Sequence, residues 1–217
     1  MFKTYLIFIF SVFLLFSCSK KEKVEIVTGP TDEESMIALY EEAVEVLKKG
    51  DAFYAAKKFK EAETLIPQSE WAAKSSLMAA YAHYSRNAYS RSVFVLERHI
   101  NNYPADKNIP YAHYLIAICY FEQILDEKKD LKPLLKAKEK FEFILSTYPE
   151  TDYATDARFK IDLIIDQLAA KEMSIARYYM KTKKWIPAIN RLRIVVDKYD
   201  RTVFIEEALH RLVEVYY

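Results

Sequence analysis

Glycine is almost missing: Gly29 and Gly50 are the only two in 217 residues. Tight β-hairpins and phosphate-cradling loops lean on glycine for positive φ and close backbone approach. Its scarcity argues against a β-rich fold and against a nucleotide-binding α/β fold. Cysteine occurs only at positions 18 and 119. One disulfide is conceivable, but Cys18 has a better use, and Cys119 lies in an apolar run that suits a buried small hydrophobe. An excess of one charge is also missing. The first 17 residues carry only Lys3, and the remainder holds 31 basic and 31 acidic groups. No clustered basic face recommends nucleic acid as a partner. The four histidines, His83, His99, His113 and His210, form no His-Glu-x-x-His pattern and no Cys/His ligand cluster, so neither a metal nor a cofactor is expected. His83 and His113 fall on helix-packing positions. No nucleophile–base arrangement and no Gly-x-Ser-x-Gly motif is present. The chain is read as a binding protein and not as an enzyme.

What is present is apolar and helical. Hydrophobic residues make up 52% and charged residues 29%, which together exclude a disordered chain. The start is an address. Lys3 precedes an apolar stretch from Tyr5 to Phe16, too short to span a bilayer and laid out as a secretory signal. It ends in Leu15-Phe16-Ser17-Cys18, similar to a bacterial lipobox, in which the thiol takes a diacylglycerol after cleavage beside a small residue. The competing reading is an ordinary signal peptide with an incidental cysteine. Residues 1–17 are therefore assigned as a lipoprotein signal peptide and 18–34 as the lipidated Cys18 with a polar tether. Residues 35–217 are assigned as the folded domain.

That domain repeats. Helical apolar spacing runs through Ile37, Tyr40, Val44 and Leu47, breaks at Gly50-Asp51, and resumes through Ala55, Phe59 and Ala62 to Pro67. Unit ends recur at Ile66-Pro67, Tyr103-Pro104, Tyr148-Pro149 and Tyr199-Asp200, spaced by 37, 45 and 51 residues. Tetratricopeptide repeats have a period of about 34, two antiparallel helices and a closing proline. The longer spacings need insertions, placed at Asp126–Pro133 and at a helix-like segment Tyr153–Leu168. Counting back from each unit end puts Ala43 and Ala55, Ala80 and Ser92, Ala117 and Ala137, and Ala176 and Ala188 where the paired helices of such a repeat cross. All eight are small. The expected fold is all-α: a tetratricopeptide-repeat superhelix (α-solenoid) of about four helical hairpins plus a final unpaired helix around Phe204, Ala208 and Leu212. A generic helical bundle is the alternative.

The register also names a surface. First-helix positions facing the inner side hold Ile37, Tyr40, Val44 and Leu47, then Lys74, Leu77, Tyr81 and Tyr84, then Tyr111, Tyr114, Ile118 and Phe121. Tyrosine offers large contact area with a polar tip and little side-chain entropy to lose. A trough of this kind suits an extended, aromatic-containing peptide. Packing between neighbouring repeats is the competing account, since the 17 tyrosines of the chain cannot all be anchors.

Several motifs occur in order: the lipobox cysteine, the Tyr-Pro closures, Tyr153-Ala154-Thr155-Asp156-Ala157, Tyr178-Tyr179, and Trp185-Ile186-Pro187-Ala188-Ile189-Asn190-Arg191. Together they resemble the BamD family of outer-membrane β-barrel assembly lipoproteins. The resemblance covers nearly the whole chain. It implies a lipid-anchored protein on the periplasmic face of the outer membrane. Its C-terminal repeats would hold a periplasmic domain of a BamA-like barrel protein, and its N-terminal repeats would receive the aromatic-rich targeting segment of unfolded outer-membrane proteins. It also implies that Asn190 and Arg191 touch the BamA-like partner. An intramolecular ion pair is the other use open to Arg191. Within binding proteins, a repeat lipoprotein scaffolding pilus or cell-division machinery is the alternative function.

Overall fold

The computed structural model describes residues 31–123 and 131–217; the lipobox, Cys18, the tether up to residue 30 and residues 124–130 lie outside the described residues. All regular structure among the described residues is α-helical: α1 Asp32–Lys48, α2 Ala52–Leu65, α3 Glu70–Tyr84, α4 Tyr89–Asn102, α5 Ile109–Phe121, α6 Lys132–Thr147, α7 Asp152–Lys181, α8 Trp185–Lys198 and α9 Ile205–Tyr216. Each helix packs chiefly on the next in the chain, which is the quasi-one-dimensional order of a solenoid. The pairs α1–α2, α3–α4, α5–α6 and α7–α8 are the four expected hairpins, and α9 is the expected last helix.

The eight small residues show why the helices pair so closely. Ala43, Ala55, Ala80, Ser92, Ala117, Ala137, Ala176 and Ala188 are all fully buried. In the second hairpin the two crossing positions touch: Ser92 Oγ donates to the Ala80 carbonyl oxygen at 2.9 Å. A larger side chain at either position would force the helices apart, against the close packing of the interior. Phe59, Phe141 and Leu192 fill the space beside these crossings and are fully buried too.

Local chemistry sets the helix ends. Asp51, Ser69 and Thr151 cap α2, α3 and α7 by accepting from the backbone N–H of Tyr54, Ala72 and Ala154, satisfying orphan donors of the first turn. Asp32, Glu33 and Glu34 occupy the first turn of α1, where the helix dipole favours negative charge. They carry α1 to position 32, three residues before the assigned domain start at 35. Pro133 lies in the first turn of α6, where its missing N–H costs nothing, so the end of the charged stretch Asp126–Pro133 is already helix.

Three hairpin turns share one backbone device. The residue just before the cap of the second helix is left-handed in each: Gly50 at φ 91°, Asn87 at φ 58° and Lys183 at φ 57°. Glycine and asparagine suit this region, whereas a lysine there costs roughly 1 kcal/mol.

The segment Tyr153–Leu168 is helical, as expected. It is no separate insertion but the first half of α7, a single helix of 30 residues. Its first half supplies Ala154, Ala157, Ile161, Ile164 and Leu168 to a core shared with α5 and α6. Its second half supplies Ala169, Met173 and Ala176 to a core shared with α8 and α9. One continuous helix thus replaces the loop that would otherwise separate two units, which explains the 51-residue spacing.

Candidate functional site: an aromatic stripe on the first helices

The first helices of the hairpins carry the stripe. On α3, Lys74, Leu77, Tyr81 and Tyr84 recur at helical spacing and so share a face. Tyr40 of α1 stands edge-on to the ring of Trp71 on α3 at 5.2 Å and to Phe59 beneath it at 5.3 Å. The Lys74 ammonium lies 4.6 Å from the Trp71 ring centre and 5.2 Å from that of Tyr40, a cation–π arrangement. Further along, Tyr84 meets Tyr81 at 6.1 Å and Tyr89 at 6.0 Å. Tyr153, at the start of α7, meets Tyr111 at 5.8 Å and Tyr114 at 5.1 Å.

Burial grades the sequence-assigned residues. Tyr81 is 38% exposed. Tyr40, Val44, Tyr84, Tyr111 and Tyr114 are half-buried: each offers part of its surface and rests the remainder on the core. Leu77 is only 8% exposed and belongs to the core proper. It supports the stripe from below and presents little of itself to a ligand. Packing therefore dominates at Leu77, and the open surface is greatest at Tyr81.

Burial also fixes the protonation of the hydroxyls. Desolvation pushes Tyr111 up to about 12 and raises Tyr40, Tyr84 and Tyr114. At Tyr114 the neighbouring Asp156 adds to the shift, and the hydroxyl donates to Asp156 Oδ2 at 2.7 Å. Tyr40, Tyr84, Tyr111 and Tyr114 thus present neutral phenol hydroxyls and aromatic faces, with the Lys74 cation over the first rings of the stripe. Such a surface binds by shape, apolar contact and hydrogen bonds to backbone groups.

Trp71, Tyr89, Tyr153 and Asp156 belong to this site and were not assigned to it from sequence. A signal for two of them was available. Pro67-Gln68-Ser69-Glu70-Trp71 and Pro149-Glu150-Thr151-Asp152-Tyr153 share one pattern: closing proline, capping hydroxyl, acid, aromatic. It places Trp71 and Tyr153 alike in the first turn of the following helix.

Near the C-terminal end, Arg191 Nη1 on α8 donates to Glu172 Oε2 on α7 at 3.0 Å. Its side chain remains 39% exposed, and Asn190 beside it is exposed. Cys119 is buried, and desolvation pushes its thiol up to about 11, the state of an inert core residue. His83 and His113 lie half-buried at the edge of the packing and not in the core proper, and burial lowers the pKa of both.

Paired helices in register, small residues at each crossing and an aromatic stripe along the first helices define a tetratricopeptide-type helical-repeat protein. The chain belongs to the YfiO family of outer membrane lipoproteins, whose model matches residues 32–217. It is similar to the outer membrane protein assembly factor BamD of Caulobacter vibrioides, 42% identical over 185 residues, covering 85% of this chain and 61% of that protein. The BamD of Rickettsia prowazekii is 36% identical over 203 residues, covering 94% of this chain and 79% of that one. The BamD of Neisseria meningitidis is 30% identical over 205 residues, covering 90% and 77%. The chain thus spans about three-fifths of the Caulobacter relative and over three-quarters of the other two.

Proposed function

We propose that this chain is a non-catalytic receptor and scaffold of outer-membrane β-barrel protein assembly. A lipid on Cys18 would hold it at the periplasmic face of the outer membrane. The aromatic stripe would take the targeting segment of unfolded barrel proteins. The C-terminal repeats, with Asn190 and Arg191, would hold a BamA-like partner through its periplasmic domain. The observation carrying this reading is the stripe itself, a graded aromatic surface crossing α1, α3, α5 and the start of α7. Similarity to proteins named as outer membrane protein assembly factors supports it. A targeting segment that ends in a free carboxylate and carries aromatic side chains would meet Lys74 over Tyr40 and Trp71, and then the open face of Tyr81.

The partner contact has a test that separates it from the internal ion pair. Arg191→Glu should sharply reduce co-purification of the BamA-like protein from membranes. Glu172→Gln removes the same internal pair but leaves the guanidinium free for a partner carboxylate, so co-purification should persist. Equal loss from both variants would reduce Arg191 to a structural residue, and no loss from either would remove it from the interface.

A further inference from the structure

The turn from α7 to α8 forms a corner that local structure does not explain. Between Glu172 and Asp197 the chain has six basic residues and no acid, in a protein whose net charge is +1. Three of the six are spoken for: Arg177 pairs with Glu207, Arg191 with Glu172, and Arg193 donates to the Tyr216 hydroxyl. Lys181, Lys183 and Lys184 are exposed, and among the described residues none of them forms an ion pair.

Lys181 closes α7, where the helix dipole welcomes a cation. Lys183 and Lys184 do the opposite. They stand at the N-terminus of α8, whose cap residue is Lys184 and lacks a side-chain cap hydrogen bond, and the dipole there disfavours positive charge. Lys183 also holds the left-handed position that glycine and asparagine fill in the first two hairpins. Beside these lysines, apolar side chains point to solvent: Ile186 is 74% exposed, Tyr178 59% and Trp185 48%.

We propose that this corner rests on the headgroup region of a bilayer containing anionic phospholipid. Long lysines reaching toward phosphate, with tyrosine and tryptophan at the polar boundary and one aliphatic tip beyond, is the composition a membrane interface selects. Protein interfaces also gather aromatics, but they are depleted in lysine. The corner would give the domain a second hold on the membrane, additional to a lipid tether, and would fix its orientation. The proposal stands apart from the partner assignment: it needs only a bilayer within reach, as expected of a family of outer membrane lipoproteins.

Trp71 and Trp185 are the chain's only tryptophans, so Trp71→Phe isolates the signal of Trp185, and Trp185→Phe supplies the same signal by difference. The full chain is reconstituted on vesicles of phosphatidylcholine alone or mixed with phosphatidylglycerol, with brominated acyl chains as a contact quencher. A lipid tether acts on both vesicle types alike, so the difference between them reports the corner. Trp185 emission should shift to the blue and be quenched about twofold or more on the anionic vesicles only. Salt at about 0.5 M should reverse this, as should the exposed triple substitution Lys181→Gln, Lys183→Asn, Lys184→Gln. Trp185 emission unchanged on anionic vesicles, or shielded equally on neutral ones, would overturn the proposal. So would shielding that appears only when a partner protein is added.

Discussion

Ala80 and Ser92 touch across the second hairpin, and Ala117 and Ala137 are equally buried in the third. At such points only a methyl or a hydroxymethyl group is accommodated, and enlarging it strains both helices at once. Ala117→Leu and Ala80→Leu should each destabilise the protein by about 2 kcal/mol through overpacking; chemical unfolding measures both. The same leucine at exposed Ala38 should change stability by no more than about 0.5 kcal/mol. A different residue-scale effect comes from His99. It is fully buried, and its Nε2 faces Asp106 Oδ2 at 3.3 Å. Burial lowers its pKa; Asp106 and Glu63 pull it upward by less, and Arg98 adds to the lowering. The folded state therefore prefers the neutral ring. Protons bind the unfolded chain more readily, so stability is full above the free-histidine value of about 6.5 and is lost as pH falls below it. His83 and His113 are lowered too and act in the same direction. The melting temperature should drop between about pH 7.5 and pH 5.5, and His99→Gln should make that drop shallower. An unchanged slope in the variant would assign the effect elsewhere.

At the scale of elements, α7 is the unusual part. Ile164 and Leu168 belong to the core with α5 and α6, while Ala169 and Met173 belong to the core with α8 and α9. One helix is thus shared by two packed cores. Asp166→Pro, at a half-buried position just before the change of core, should cost about 3 kcal/mol or more. It should also split a single unfolding transition into two, as seen by calorimetry. Survival of one cooperative transition would show that the blocks communicate by another route. The small crossing residues were legible in the sequence because each recurring unit end sets the register of its own hairpin. The continuity of α7 was not, because the repeat period has no place for a helix that serves two units. For the same reason Tyr153 and Asp156 were seen as part of an insertion, although they stand beside Tyr111 and Tyr114. Exposure within the stripe was not legible either: Leu77 and Tyr81 lie four apart on one face, and only the packing of the neighbouring helices makes one core and leaves the other open.

For the molecule as a whole, the central claim is that the stripe on the first helices holds a guest chain. Tyr40, Val44, Tyr84, Tyr111 and Tyr114 rest on the core, so a guest chain would find them already in place, with little ordering of these residues left to be done on binding. Site-specific photocrosslinking in cells addresses the claim most directly, with the probe at Tyr40, Tyr81 or Tyr114 and, as control, at exposed Lys60 on α2. The account predicts capture of unfolded outer-membrane barrel protein from the three stripe positions well above that from Lys60, strongest at the more open Tyr81. Capture no greater from the stripe than from Lys60 would contradict it.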